Sequence, residues 1–453
     1  MSDFAAIFKA YDVRGTVPDQ FNAQMALAIG AAFARFVRAE DPAVTRVLVA
    51  RDMRPSGTDL VAAFSEGVCS QGLDVVDLGL GSTDLLYFAA GSMAAAGAMF
   101  TASHNPAQYN GIKFCLAGAR PVGEDTGLAQ IRDWAAAGSE PVATPGSVSH
   151  QDVLDAFAAH VRSFVDVSAL RPLRVVADTA NGMGGLVVPA VFEALPFDLE
   201  VMYPELDGTF PNHPTDPIQP ENTEDLRRRV VEVGADVGLA FDGDADRVFL
   251  VDEAGIGLSG STTTAILADA LLRRNGGGKV VHNLICSRAV PEVIREAGGE
   301  PIRSRVGHSF IKAVMAETGA IFGGEHSAHY YFADNYRADS GLIAAVLVLE
   351  QLCVRDMRLS ELRKPYERYA ASGEINTKVS DPLAVIESVA AHFASLPQDR
   401  LDGLTVDAGQ WWFNLRPSNT EPLLRLNLEA PTEAECAERV AEVRALLGDG
   451  QEG

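Results

Sequence analysis

Short apolar runs rich in Val, Ile and Ala alternate with longer mixed segments through most of the chain, the pattern of strands and helices taken in turn. Three runs open alike: RVLVARDMRPSG from Arg46, RVVADTANGMGG from Arg174 and KVVHNLICSRAV from Lys279. Each reads as a β-branched strand, a small or polar stretch, then a helix. Three later segments also match one another: GAMFTASHNP from Gly97, ADVGLAFDGDADR from Ala235 and GAIFGGEHSAHYY from Gly319. Each of these runs from an apolar strand straight into a polar loop. This internal repetition predicts three related α/β units of roughly 100–150 residues, each a βαβ-type sheet flanked by helices. Ligands gather at the carboxyl ends of strands in such sheets, so the three polar loops are expected to face one site.

The pattern then changes. INTKVSD, LDGLTVD, GQWWFNLRPSN and PLLRLNLEA alternate apolar and polar positions as strands do, with helices expected at 382–396 and 432–447. Polar or Pro/Gly-rich joints are expected at 137–149, 251–257 and 371–373. The expected organisation is α/β domains over 1–148, 149–253 and 254–370, followed by an α+β domain over 371–453.

Charge narrows the partners. The 453 residues carry 61 Asp and Glu against 37 Lys and Arg, a formal net charge of −24. Such a surface repels nucleic-acid backbones and anionic membranes, so neither is an expected partner. A small anionic substrate then needs a local cluster of basic side chains. Five cysteines, widely spaced and without a CxxC pair, argue against a disulfide framework or a zinc site. The first ten residues lack a basic region followed by an apolar core, so the expected compartment is the cytoplasm.

Candidate chemistry sits in the polar loops. In DGDADR the alternate carboxylates Asp242, Asp244 and Asp246 can converge on one hard cation. An EF-hand competes, since Glu253 falls at its twelfth position. However, Arg247 stands where that loop needs glycine, and the flanks VGLAF and VFLVD are strands. Mg²⁺ with open positions for a phosphate oxygen is the favoured reading. GGEHSAHYYF offers Glu325, Ser327 and His329, suited to a polyhydroxylated ligand; its HxxH pair is also a metal-site pattern. RPSNTEP sets Arg416 beside Ser418, Asn419 and Thr420, a plausible phosphate cradle or an ordinary turn. VGHSFIK adds His308 and Lys312, and AYDVRG adds Tyr11 and Arg14. In TASHNPAQYNGIKF, Ser103 reads alone as a helix N-cap. Beside a metal loop it becomes a nucleophile, with Gly111 expected to make a tight turn that brings Lys113 back to it.

TASHNP, DGDADR, GEHSAH and RPSNTEP, in this order and spacing, together resemble the loops of the α-D-phosphohexomutase family. YDVRG and GTFPNHPTDP (208–217) fit as well. The resemblance, most like the bacterial phosphomannomutase type, covers essentially the whole chain. It implies four domains around a central cleft. It also implies phosphoryl transfer from phosphorylated Ser103 to a hexose monophosphate, through a hexose 1,6-bisphosphate that also serves as activator. The implied Mg²⁺ ligands are Asp242, Asp244, Asp246 and Ser103. Lys113, Arg247, Arg14, His104 and His308 are the implied catalytic residues. The implied substrate contacts are Tyr11, Glu325, Ser327, His329, Arg416, Ser418, Asn419, Thr420 and Arg425.

On the same resemblance, His326 replaces the acidic residue usual in glucose-specific members, and mannose phosphates are the expected substrates, with some glucose turnover. Phosphoglucomutase and phosphoglucosamine mutase are the alternatives within the family. Outside it stand a phosphatase and a non-catalytic sugar-phosphate-binding protein. Many members carry a lysine where this chain has Ile285, leaving His308, Arg14 or Lys312 as acid–base candidates. The oligomeric state is expected to be monomer or homodimer.

Overall fold

The computed structural model describes residues 3–417 and 423–447. The first sheet holds β1 (Val13–Thr16), β2 (Arg46–Arg51), β3 (Asp74–Leu80), β4 (Ala96–Phe100), β5 (Tyr109–Leu116), β6 (Arg120–Pro121) and β7 (Val148–His150). The second holds β8 (Arg174–Asp178), β9 (Asp198–Met202), β10 (Val237–Phe241) and β11 (Val248–Asp252). In the third are β12 (Gly278–Asn283), β13 (Gly299–Ser304), β14 (Phe322–Gly324) and β15 (Tyr330–Phe332). The fourth, wholly antiparallel, runs β16 (Ala370–Lys378), β20 (Leu423–Ala430), β19 (Trp412–Pro417), β18 (Leu404–Asp407), β17 (Gln398–Asp399).

One topology recurs three times. The neighbour orders β5-β4-β2-β3, β11-β10-β8-β9 and β15-β14-β12-β13 are the same order, and in each the last strand in sequence is the only antiparallel one. The crossover helices also correspond: Gly57–Ser70 and Thr83–Ser92, Gly184–Phe192 and Glu224–Val233, Ala289–Glu296 and His308–Thr318. Parallel strands joined by helices are covered on both faces, which is why β4 and β10 are apolar and buried throughout. In each unit the segment between the third parallel strand and its antiparallel partner is the polar loop singled out above. The repeated sequence pattern is thus a repeated fold.

A core running from Leu48 and Met99 to Val248, Leu347 and Tyr366 joins the first three sheets. A second core covers the other face of the first sheet, where Phe33 stacks on Phe114 with ring centroids 4.6 Å apart. In the fourth sheet the alternation of WFNLRP and LLRLNLEA sends Phe413, Leu415, Leu424, Leu426 and Leu428 into a separate core with helices Pro382–His392 and Glu433–Leu446. Arg416, Arg425 and Asn427 fall on its opposite, polar face.

Strand enters two of the expected joints, although residues 138–147 hold neither helix nor strand. The stretch ending at Ser149 finishes as β7, which pairs parallel with β3. Residues 371–373 lie inside β16, at a register shift between Ala371 and Glu374. Among the described residues, no helix is long and apolar enough to cross a membrane.

Candidate active site

The three polar loops meet. Ser103 is 4% exposed and donates from Oγ to Asp242 Oδ2 at 2.9 Å. No helix follows it, so it is not an N-cap. Each loop holds a non-glycine residue in the left-handed region: Ser103 (φ +49°), Ala245 (φ +60°) and Ala328 (φ +65°). Such backbone persists only where its surroundings hold it, and at Ser103 the holder is Arg54. This fully buried guanidinium donates to the carbonyls of Ser103 (2.9 Å), Asn105 (2.6 Å), Pro106 (2.7 Å) and Tyr109 (2.9 Å), and pairs with Asp52 at 3.2 Å.

Arg54 and Asp52 were not among the expected site residues, although both lie in the quoted RVLVARDMRPSG. The sequence offers only a charge pair at a strand exit as a signal; carbonyls some fifty residues onward leave none. Arg54→Met would orphan four carbonyls and a buried carboxylate, so a stability loss of about 3–5 kcal/mol is expected in urea denaturation. Arg54→Lys, which keeps the charge but not the fork, should recover little of it.

Lys113 reaches the site by strand register, not by a turn. Gly111 lies within β5, and a Cβ there would meet Val13 O at 2.0 Å, so the glycine admits β1 alongside. Lys113, opposite Met99 across the β4–β5 pair, donates to Asp244 Oδ2 and Asp246 Oδ2, each at 2.7 Å. Ser82 caps helix Thr83–Ser92, and Thr83 Oγ1 donates to Asp244 Oδ2 at 2.6 Å. Arg247 donates to Asp242 from its backbone N (3.2 Å) and from Nε (2.9 Å), and lies 3.8 Å from Asp216.

Asp242, Asp244 and Asp246 are fully buried, with carboxylate oxygens converging to within 4.8 Å of one another. Burial, then the neighbouring carboxylates, push Asp242 up to about 7 despite Arg247. Burial opposes the Asp246 charge too, but Lys113 and His329 hold it well below the usual range. Among the described residues, Asp244 Oδ1 has no hydrogen-bond partner, and Asp246 Oδ1 meets His329 Nε2 at 3.5 Å. A convergent, buried, oxygen-only set with open lone pairs suits a hard divalent cation. Glu253 lies elsewhere, bound to the Ser360 backbone N–H at 3.2 Å and to its hydroxyl, which removes the EF-hand.

The third loop is joined to the second by a β-bridge between Arg247 and His329. His329 lies 3.5 Å from Asp246 and 3.4 Å from Glu325. Burial works against its charge, but these carboxylates raise it to about 10, so it is a cation at neutral pH. His326 instead meets Ser261 Oγ at 3.0 Å, so the two histidines of the HxxH pattern serve different partners. Glu325 accepts from Gly307 N (3.0 Å) and Tyr331 OH (2.9 Å), and Ser327 Oγ lies 3.2 Å from His329 Nδ1.

Around this centre stand the remaining candidates. His104 Nδ1 is 3.3 Å from Ser103 Oγ; burial, then Arg247 and Arg14, hold its pKa well below that of a free histidine. Arg14 binds Asn105 and Asp12, both at 2.5 Å. Tyr11 OH donates to Val306 O at 3.4 Å, and its ring meets His308 edge-on at 5.3 Å. Lys312 is spent inside the fold, 2.6 Å from Asp339 and 3.8 Å over the Tyr87 ring. Ile285 is buried at a groove of about 380 Å³ between the third and fourth sheets, shared with His326 and Asn427. Arg416 and Arg425 lie directly opposite each other on β19 and β20. The expected contacts Ser418, Asn419 and Thr420 lie outside the described residues.

Comparison with known proteins agrees with this geometry. Four segments match the family described as phosphoglucomutase/phosphomannomutase: domain I over residues 5–141, domain II over 155–255, domain III over 259–369 and the C-terminal domain over 374–446. The chain is 41% identical over 446 residues to phosphohexose mutases of Xanthomonas campestris pv. campestris, covering 97% of this chain and 98% of that protein. It is 39% identical over 452 residues to the phosphomannomutase of Escherichia coli K12, with the same coverage. A crystal structure of a phosphoglucomutase/phosphomannomutase family protein from Burkholderia thailandensis aligns over 100% of both chains, at 32% identity and a TM-score of 0.90.

Proposed function

The chain belongs to the phosphoglucomutase/phosphomannomutase family, and on that premise we propose that it is a phosphomannomutase. It interconverts mannose 6-phosphate and mannose 1-phosphate through phosphorylated Ser103 and a hexose 1,6-bisphosphate, with glucose phosphates as further substrates. The observation that carries this reading is the placement of the Ser103 hydroxyl, 2.9 Å from Asp242 within a buried cluster of three carboxylates, Lys113 and Arg247.

The C1 hydroxyl of bound mannose 6-phosphate attacks the phosphorus of phosphorylated Ser103. The P–Oγ bond breaks as the P–O1 bond forms, and the O1 proton passes to a base. The resulting 1,6-bisphosphate reorients and Ser103 Oγ attacks its other phosphoryl group. The P–O6 bond breaks as the P–Oγ bond forms, O6 takes back the proton held by the base, and mannose 1-phosphate is released. Lys113 and Arg247 share the carboxylates that surround Ser103 and counter the charge of the transferring group. Asp242, Asp244 and Asp246 would hold Mg²⁺ together with an oxygen of the phosphorylated Ser103, supplying further charge neutralisation. Glu325, Ser327 and His329 hold sugar hydroxyls, and Arg416 with Arg425 grips the non-reacting phosphate. A substrate used in two orientations needs one reactive end and one anchoring end, each fixed.

His308 is assigned as the base. Burial, then Lys312, push its pKa down to about 4, so at neutral pH it accepts a proton but has no acidic proton to give. His308→Ala should lower kcat by roughly 10²-fold or more. Because His308 titrates near 4, the loss should stay constant from pH 6 to 9 in steady-state assays. A loss confined to one side of neutrality would remove the assignment.

The activity is tested by phosphorus NMR of mannose 1-phosphate with enzyme, Mg²⁺ and catalytic hexose 1,6-bisphosphate. Mannose 6-phosphate should accumulate to equilibrium. Inorganic phosphate with free mannose would mark a phosphatase instead. Relative kcat/KM for mannose, glucose and glucosamine 1-phosphates then ranks the sugars, with mannose expected first.

A further inference from the structure

Two arginines set directly across an antiparallel pair repel each other, and Arg416, with its side chain 7% exposed, has little water to screen it. A third strand supplies the remedy. Glu374 Oε2 accepts from Arg416 Nη2 at 2.5 Å, and its Oε1 lies 3.3 Å from Arg425 Nη1. The carboxylate spans both guanidinium groups, one oxygen to each. Its position comes from local backbone: the register of β16 on β20 shifts between Ala371 and Glu374, and Gly373 at φ +67° allows the chain to bulge there. The bulge sets Glu374 opposite Asn427, two residues along β20 from Arg425.

A carboxylate bridging two arginines has the charge sign and the two-oxygen geometry of a bound phosphate. We propose that Glu374 is an internal anion that occupies the Arg416–Arg425 clamp in the free enzyme and is displaced by the substrate's non-reacting phosphate. The proposal rests on the phosphate-anchor reading of those arginines. Glu374 lowers the affinity for phosphate, because binding must first break two ion pairs. It also lowers the cost of release, since the arginines are never left unpaired when the bisphosphate lets go to turn round. The residue sets substrate affinity and reorientation rate, while bond breaking at Ser103 proceeds without it.

Glu374→Gln keeps the shape and removes the charge. Calorimetric titration of the full chain with inorganic phosphate, and separately with mannose 6-phosphate, should show about tenfold tighter binding of both. In turnover, KM and kcat should fall together, since the phosphate is held more firmly and released more slowly. A residue that merely braces the arginines would give the opposite result, weaker binding and a raised KM. Unchanged or weaker phosphate binding in both Glu374→Gln and Glu374→Ala overturns the proposal; the second variant guards against a local misfit of the amide. If neither protein isomerises hexose phosphates but the variant binds phosphate more tightly, the mutase reading falls and the internal anion stands.

Discussion

Ser103→Ala is expected to lower mutase turnover by about 10⁴-fold or more, because the phosphoryl group then has no covalent resting place between its two transfers. The protein should stay folded. Asp242 keeps both of its bonds from Arg247, and Arg54 holds the loop through backbone carbonyls that alanine retains. Alanine at φ +49° is no more strained than serine there. Intact mass should separate the variants cleanly. A fraction of the wild-type chain should be heavier by about 80 Da, one phosphoryl group, and Ser103→Ala should lack it. Turnover within tenfold of wild type would mean that phosphate passes directly between substrates, with Ser103 reduced to a polar contact.

Asp242→Asn should cost roughly 10³-fold in kcat/KM, through the cation rather than through folding. Three carboxylates within 4.8 Å of one another tolerate burial because Lys113, Arg247 and the charged His329 lie among them. Burial, with Asp244 and Asp246 beside it, pushes Asp242 up to about 7 against the pull of Arg247 and Lys113, so it is the carboxylate whose charge is worst compensated. Its amide removes that charge but must turn its NH2 toward a donor, either the Arg247 backbone N–H or the Ser103 and Arg247 side chains. The metal-free protein should therefore lose about 1–3 kcal/mol and stay folded. Adding Mg²⁺ to about a hundredfold over its Kd should stabilise wild type by about 2.7 kcal/mol. That corresponds to a Tm rise of about 3 °C, at roughly 1 °C per kcal/mol for a chain of 453 residues. Asp242→Asn should show little of this rise. A full Mg²⁺-dependent shift in the variant would place the ion elsewhere.

Much of this site was legible because it lies in short contiguous loops. DGDADR carries its three carboxylates in one turn, and the strands either side, β10 and β11, were written as apolar runs. The repeat was legible because each unit restates strand, helix, strand, helix, strand, polar loop in the same order. What escaped depends on neighbours distant in sequence. Arg54 acts on carbonyls 49 to 55 residues away, and no local pattern announces a guanidinium among backbone oxygens. Gly111 looked like a turn residue, yet it is a close-approach position within a strand, because only the pairing of β1 with β5 reveals the carbonyl of Val13 facing it. Lys312 read as an acid–base candidate, and it is a buried partner of Asp339. Glu374 directly follows the segment 371–373 read as a joint, where the backbone bulge gives a charged residue its aim.

The most direct test follows the phosphoryl group itself. Protein carrying ³²P on Ser103 is freed of other nucleotides and sugars, then mixed with unlabelled mannose 6-phosphate and Mg²⁺ for a single turnover. If Ser103 is the carrier, the label leaves the protein and appears first in mannose 1,6-bisphosphate, then in mannose 1-phosphate. Label recovered as inorganic phosphate, or label that remains on the protein while mannose 1-phosphate forms, would contradict a phosphoserine mutase.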